Sequence, residues 1–483
     1  MEVRSRTYDG AREGCRMSEH AVNAEHRDGV ARPGEHSWPG DLTTVQTEFG
    51  EFAAVDDGEV TRIRNIRYAG AERFAAPVPV EPDPHEASGR QFQRLACPQT
   101  SAASDVLFGG PLRGVDLDED CLRLSITRPS DSTGEPMPVM VWIHGGSYVS
   151  GAGDLGGYDP RALVLEQRVI VVTVTYRLGV LGFLGDGEPG GRPANLGLLD
   201  LIEALRWVRS RIGGFGGDPD RVTVFGESSG ADAIAHLLAV PGTHELVTRV
   251  ILQSAPFGIR KRRERLQERM RRAAGPLARD ATLDELFAAQ ARAARAAAGF
   301  GLRSGMPFSP QYGHAPLPPE RDVAAGWRRQ APGLDVLVCS TTEEAAFFLE
   351  LAPTLRALAA KPVVGPVIRF GLVRVVTGAV YTWSGRRFAL LLARSSARVQ
   401  VARFDGRPAD SRIGSAHAID LALLFPNPTA WGPAPLLAPH GAESLVEAGA
   451  PMRAAWGEFA RTGRIAASRI RLGPGWLGGL RVR

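Results

Sequence analysis

A serine becomes a nucleophile only when a base takes its proton, so the residues that could do chemistry here are sought as a set. Ser228 sits in Gly226-Glu227-Ser228-Ser229-Gly230, a G-x-S-x-G string between an alternating apolar run (Val222, Val224, Phe225) and an Ala/Leu/Ile run with helical spacing. Strand, sharp turn and helix would put the Ser228 hydroxyl on the tip of a tight turn, with the free N–H groups of the helix start facing the same spot. Alone, five letters are a weak signal, and the partners decide. Of the histidines that follow, His236 and His244 are too local to arrive from another loop. His314 lies in a Pro-rich loop and His440 near the end. His417 lies in GSAHAIDLALLF, a small-residue loop after the strand-like VQVARF run (Val399–Phe404). Glu343 and Glu344 follow another apolar run ending at Cys339, and either could fix the tautomer of such a histidine.

These side chains need a sheet to hold them. Continuous apolar runs of buried-strand length occur at Pro138–His144, Val169–Thr175, Val222–Phe225, Arg249–Leu252 and Leu334–Cys339, with Val399–Phe404 later. Helical spacing occurs between them, as in Leu199–Ile212. The alternation predicts an α/β fold, a mainly parallel central sheet with helices on both faces. Residues 259–330, rich in Ala and Arg, read as a helical excursion over the active-site end. Ligands of open α/β sheets bind at the carboxyl ends of the strands, where Ser228, His417 and the Glu343-Glu344 pair would all emerge.

The chain resembles the type B carboxylesterases, the family that also contains the cholinesterases and the bacterial para-nitrobenzyl esterases. The resemblance rests on collinear segments: EDCLRLSI (Glu119–Ile126), VWIHGGSYVSG (Val141–Gly151), YRLGVLGFL (Tyr176–Leu184), NLGLLD (Asn195–Asp200), the stretch Ala204–Gly230, RVILQSA (Arg249–Ala255) and FARTG (Phe459–Gly463). It implies an α/β-hydrolase fold over residues 43–483 and a serine hydrolase of carboxylic esters working through an acyl-enzyme. It assigns the acid to Glu344 rather than Glu343, since Phe348 follows at the family spacing, although Ala345 replaces the usual glycine. It also implies an oxyanion hole from the backbone N–H groups of Gly146, Ser147 and Ser229. Ser229 would serve as a backbone donor only, so Ser229→Ala should be nearly neutral and Ser228→Ala inactive. Ser254, in LQSA, is expected near the triad or in packing. Cys97 and Cys121 match a pair that secreted members close as a disulfide; two thiols are equally compatible with this chain. The Glu344 to His417 interval looks short for the family and predicts a more open site than in the cholinesterases.

Composition narrows the rest. The chain has 483 residues, 44% apolar, with a net charge of +4. Lys261 and Lys361 are the only lysines, so its basic character is nearly all arginine, and the run Arg260–Arg272 carries Glu264 and Glu268 at helical spacing. That run is expected to be a solvated, salt-bridged helix face, with no nucleic acid partner. Residues 1–42 are polar, lack an apolar signal segment and are expected to be a disordered extension of a cytoplasmic protein. The longest apolar stretch, around Pro362–Trp383, is interrupted by Arg369 and Arg374, so no membrane partner is expected. The four cysteines lack zinc-site spacing, and neither metal nor organic cofactor is implied. The partner is a small-molecule ester; oligomeric state is left open. Two other functions share these residues: an amidase or carbamate hydrolase with the same triad, and a noncatalytic binding protein on the same fold.

Overall fold

The structure is a computed structural model that describes residues 40–483 apart from 82, 84–89, 91, 132–133, 189 and 440, which leaves His440 and most of the expected extension outside the described residues. One sheet carries the fold. Its strands are β1 (Asp41–Thr47), β2 (Gly50–Asp56), β3 (Val60–Arg67), β4 (Arg123–Pro129), β5 (Met137–Ile143), β6 (Ile170–Val174), β7 (Gly217–Glu227), β8 (Arg249–Gln253), β9 (Asp335–Thr341), β10 (Arg398–Phe404), β11 (Arg469–Arg471) and β12 (Gly479–Val482). They lie in the order β1-β2-β3-β4-β6-β5-β7-β8-β9-β10-β12-β11. The run from β6 to β10 is parallel. Both edges are antiparallel. The sheet opens two residues before the boundary expected at Thr43, because Asp41 and Leu42 pair with Asp56 and Val55.

The apolar runs are continuous because both faces of the parallel strands are covered. Along β5, Val139, Val141 and Ile143 join one core cluster while Met140 and Trp142 join the other. Parallel strands require crossovers, and the helices that provide them shield the two faces. Among them are α1 (Leu196–Arg211), α2 (Ser229–Leu237), which starts directly after Ser228, and α6 (Glu344–Glu350), which starts at Glu344. The excursion is helical in part, with α3 (Glu264–Ala274), α4 (Leu283–Ala296) and α5 (Val323–Gln330) separated by loops. Its basic run divides. Arg271 and Arg272 pair with Glu268, whereas Arg260 and Arg263 are buried, Arg260 lying 4.5 Å over the Trp327 ring and Arg263 donating to the Pro307 carbonyl. A solvated face thus describes Lys261, Arg262 and the second half of that stretch, but not Arg260 or Arg263.

The arginines around Pro362–Trp383 do not interrupt the helix there. α7 (Val364–Ala393) runs 30 residues and is long and apolar enough to cross a membrane, by length and composition. It includes two widened π-helical stretches, Val367–Leu372 and Gly378–Thr382. The last helix, α8 (Leu445–Thr462), packs its Trp456 and Phe459 into the second core cluster.

Candidate active site

The Ser228 turn is dictated by close approach. Ser228 takes φ 54°, ψ −122° between β7 and α2. A side chain at Gly230 would put its Cβ 2.1 Å from the Ile143 carbonyl oxygen, and one at Gly226 would reach 2.7 Å from the same atom. Glycine at both positions lets the turn press against the end of β5. The segment after β5 lies on the other side of Ser228: a Cβ at Gly145 would be 3.2 Å from the Ser228 Cβ. Beyond it, Gly146, Ser147 and Tyr148 take successive φ values of 108°, 56° and 61°. That curled backbone carries the Tyr148 N–H to the Ser229 hydroxyl, 3.3 Å away, at the start of α2.

The three expected side chains meet. Ser228 Oγ lies 2.9 Å from His417 Nε2, and His417 Nδ1 lies 2.6 Å from Glu344 Oε2. They come from three separate strand ends, those of β7, β9 and β10, across the carboxyl edge of the sheet. Glu344 is fully buried; its Oε1 accepts from the Ser254 hydroxyl at 2.6 Å and from the Thr341 N–H at 2.7 Å. Ser254 thus touches the carboxylate directly. Glu343 faces away from the imidazole ring. Its Oε2 accepts from the Ser415 N–H at 2.9 Å and its own N–H donates to the Ser415 carbonyl at 3.0 Å, so it ties down the loop that carries His417.

Several neighbours had no motif to announce them. The Glu227 carboxyl, in the variable position before the serine, has Oε1 3.1 Å from His417 Nε2. Burial, opposed by the charge of His417 and assisted by Asp420 and Glu344, pushes its pKa up to about 8. Burial alone would lower His417, but the Glu227 charge and then the Glu344 hydrogen bond outweigh it and raise the imidazole to about 9. The two groups lie close enough to titrate as a coupled pair. A proton on either group lowers the proton affinity of the other, and the neutral imidazole is the form a general base requires. An acid in that position was the readable signal. Phe347, Phe348 and Tyr381 ring His417 with centroids 5.8, 5.4 and 5.3 Å away, Tyr381 reaching in from α7. The Ser229 hydroxyl accepts from the Tyr148 N–H at 3.3 Å, and Tyr148 donates to Asp232 at 2.8 Å, so Ser229 also bears on the curled segment through its side chain.

A family model described as the carboxylesterase family matches residues 43–361. The chain belongs to the carboxylesterase family. This carboxylesterase is 36% identical over 435 residues to the probable N-octanoylanthranilate hydrolase AqdA2 of Rhodococcus erythropolis, covering 87% of this chain and 93% of that protein. It is 41% identical over 215 residues to the para-nitrobenzyl esterase of Bacillus subtilis, covering 44% and 43% of the two chains. Among solved structures, a thermophilic para-nitrobenzyl esterase superposes with a TM-score of 0.71 at 28% identity, covering 91% of this chain and 93% of its own. The carboxylesterase therefore has the α/β-hydrolase fold and is a carboxylic-ester hydrolase acting on small-molecule esters. Its Cys97 and Cys121 are buried free thiols, and a hydrogen bond to Cys97 together with burial pushes the Cys121 pKa well up.

Proposed function

We propose that Ser228 attacks the substrate carbonyl while His417 Nε2 takes the hydroxyl proton, Glu344 holding His417 by Nδ1. The observation that carries this reading is the unbroken hydrogen-bond chain Ser228–His417–Glu344. The carbonyl oxygen becomes an oxyanion as the C–O double bond opens, and the N–H groups of Gly146, Ser147 and Ser229 receive it, each such donor contributing on the order of 10²–10³ in rate. His417 then gives its proton to the leaving alcohol, and the acyl group remains on Ser228. A water molecule, deprotonated by His417, attacks the acyl-enzyme; the carboxylic acid departs and Ser228 regains its proton. Every proton in this cycle passes between Ser228, His417, the substrate and the attacking water, so the reading calls on neither metal nor organic cofactor.

Amide cleavage is the second reading, favoured by the likeness to the probable N-octanoylanthranilate hydrolase over nearly the whole chain. The same steps release an arylamine if His417 can protonate the departing nitrogen. The partial exposure of Ser228 and the aromatic side chains beside His417 support an open site that takes apolar acyl groups. The reading also places the enzyme in the cytoplasm, where the buried Cys97 and Cys121 stay thiols. The test is a panel of p-nitrophenyl esters and octanoyl anilides with the wild type and Ser228→Ala, alongside organophosphonate labelling read by peptide mass. Turnover lost in Ser228→Ala and a label on Ser228 support the mechanism, and turnover of the anilides adds the amide reading. A folded wild type that hydrolyses none of these and takes no label refutes it.

A further inference from the structure

The chain from Leu351 to Phe404 contains nine arginine and lysine residues and no aspartate or glutamate, in a protein otherwise close to charge balance. α7 lies within it. Along and before this helix Val363, Val367, Phe370, Val375, Trp383 and Leu390 are each more than half exposed, Val363 by 83%. Arg356, Lys361, Arg369, Arg374, Arg386 and Arg387 are exposed around them. Against the middle of the helix lies a cavity of about 490 Å³ bordered by Arg374, Arg403, Arg407, Thr377 and Trp383, with Glu343 as its one carboxylate. Burial first, and then the nearby Arg386 charge, lower the Arg403 pKa, with Glu344 opposing them.

Apolar side chains flanked by arginines, on a helix with its other face packed into a protein, match the surface of an anionic bilayer: acyl chains for the valines and phenylalanine, phosphates for the guanidinium groups. We propose that this face of α7, with the arginine-lined cavity beside its middle turns, docks the enzyme onto anionic phospholipid. The helix lies on the bilayer rather than through it. Four arginines fall within its 30 residues, and Tyr381 packs against His417 inside the protein. A second copy of the chain is the poorer occupant, since a two-fold contact would set this positive patch against itself with only Glu343, in the cavity, as an acid. Docked in this way, the enzyme holds its catalytic histidine one helix away from the lipid.

The experiment is co-sedimentation of the full chain with vesicles of phosphatidylcholine alone and of phosphatidylcholine mixed with phosphatidylglycerol, at physiological ionic strength. The expected result is binding to the anionic vesicles only. Val367→Asp with Phe370→Asp, and separately Arg369→Glu with Arg374→Glu, should each weaken partitioning by about tenfold or more. Hydrolysis of soluble p-nitrophenyl acetate and the melting temperature should stay unchanged. If a double variant fails to fold, Val363→Asp, at the most exposed position, carries the same test. No binding to anionic vesicles overturns the proposal. So does binding indifferent to the aspartate substitutions, which would be adsorption by charge alone. A dimer that those substitutions dissolve, without vesicle binding, would make the face a protein interface and overturn it equally.

Discussion

Replacing Glu227 by glutamine keeps the shape of a buried side chain and removes the charge beside His417. In the wild type that charge, 3.1 Å from Nε2, is the largest influence raising the imidazole to about 9. An opposite charge at such range is worth about 1–3 pKa units, so the Glu227→Gln imidazole should titrate about two units lower. The sign follows from the chemistry: the neutral imidazole is the active form, so activity falls on the acid side as His417 gains its proton. Lowering its pKa moves that acid limb to lower pH. The assay is kcat/KM for p-nitrophenyl butyrate from pH 5 to 10, each profile normalised to its own plateau, since the plateau reports oxyanion and substrate contacts as well. An acid limb that stays in place, or moves to higher pH, would refute the argument that Glu227 sets the proton affinity of His417.

Ser254→Ala removes one of the two hydrogen bonds to Glu344 Oε1 and leaves the Thr341 N–H; loss of a hydrogen bond to a buried carboxylate, about 2 kcal/mol, should lower kcat about thirtyfold with KM little changed, as steady-state kinetics would show. Ser229→Ala should reduce kcat only a few-fold, through the Tyr148 N–H it leaves unpaired, while Ser228→Ala drops to background on the same substrate. Gly230→Ala sets a methyl 2.1 Å from the Ile143 oxygen and should give little soluble protein, or a melting temperature lowered by many degrees in calorimetry.

Much of the positioning was readable because it is local. The apolar runs at Pro138–His144 and Val169–Thr175 are continuous for the reason observed, burial on both faces, and the spacing of Gly226 and Gly230 matches two contacts with one carbonyl oxygen. The antiparallel edges were not readable in this way: β1 alternates weakly and most of its side chains are exposed, so pairing with β2 defines it rather than pattern. Tyr381 was hidden for another reason. It meets His417 only because α7 folds back over α6, and no periodicity within the helix distinguishes that tyrosine from its apolar neighbours. The two glutamates after β9 illustrate the limit on the site itself. Residue type made them equivalent, and a backbone turn sends one carboxylate to the His417 ring and the other to the Ser415 N–H.

That division has a mechanical side. Glu343 and Glu344 are consecutive, and through them the end of β9 grips both the histidine ring and the loop beneath it, with the Thr342 N–H bonded to the Phe404 carbonyl at the base. The acid and the base therefore travel as one stiff bracket. Any give needed to admit a bulkier acyl group or to release product must arise elsewhere around Ser228, at the curled Gly146–Tyr148 backbone or at the widened turns of the helix bearing Tyr381. Directed evolution for new substrates on this scaffold should accordingly accumulate changes along those two walls and leave the bracket untouched.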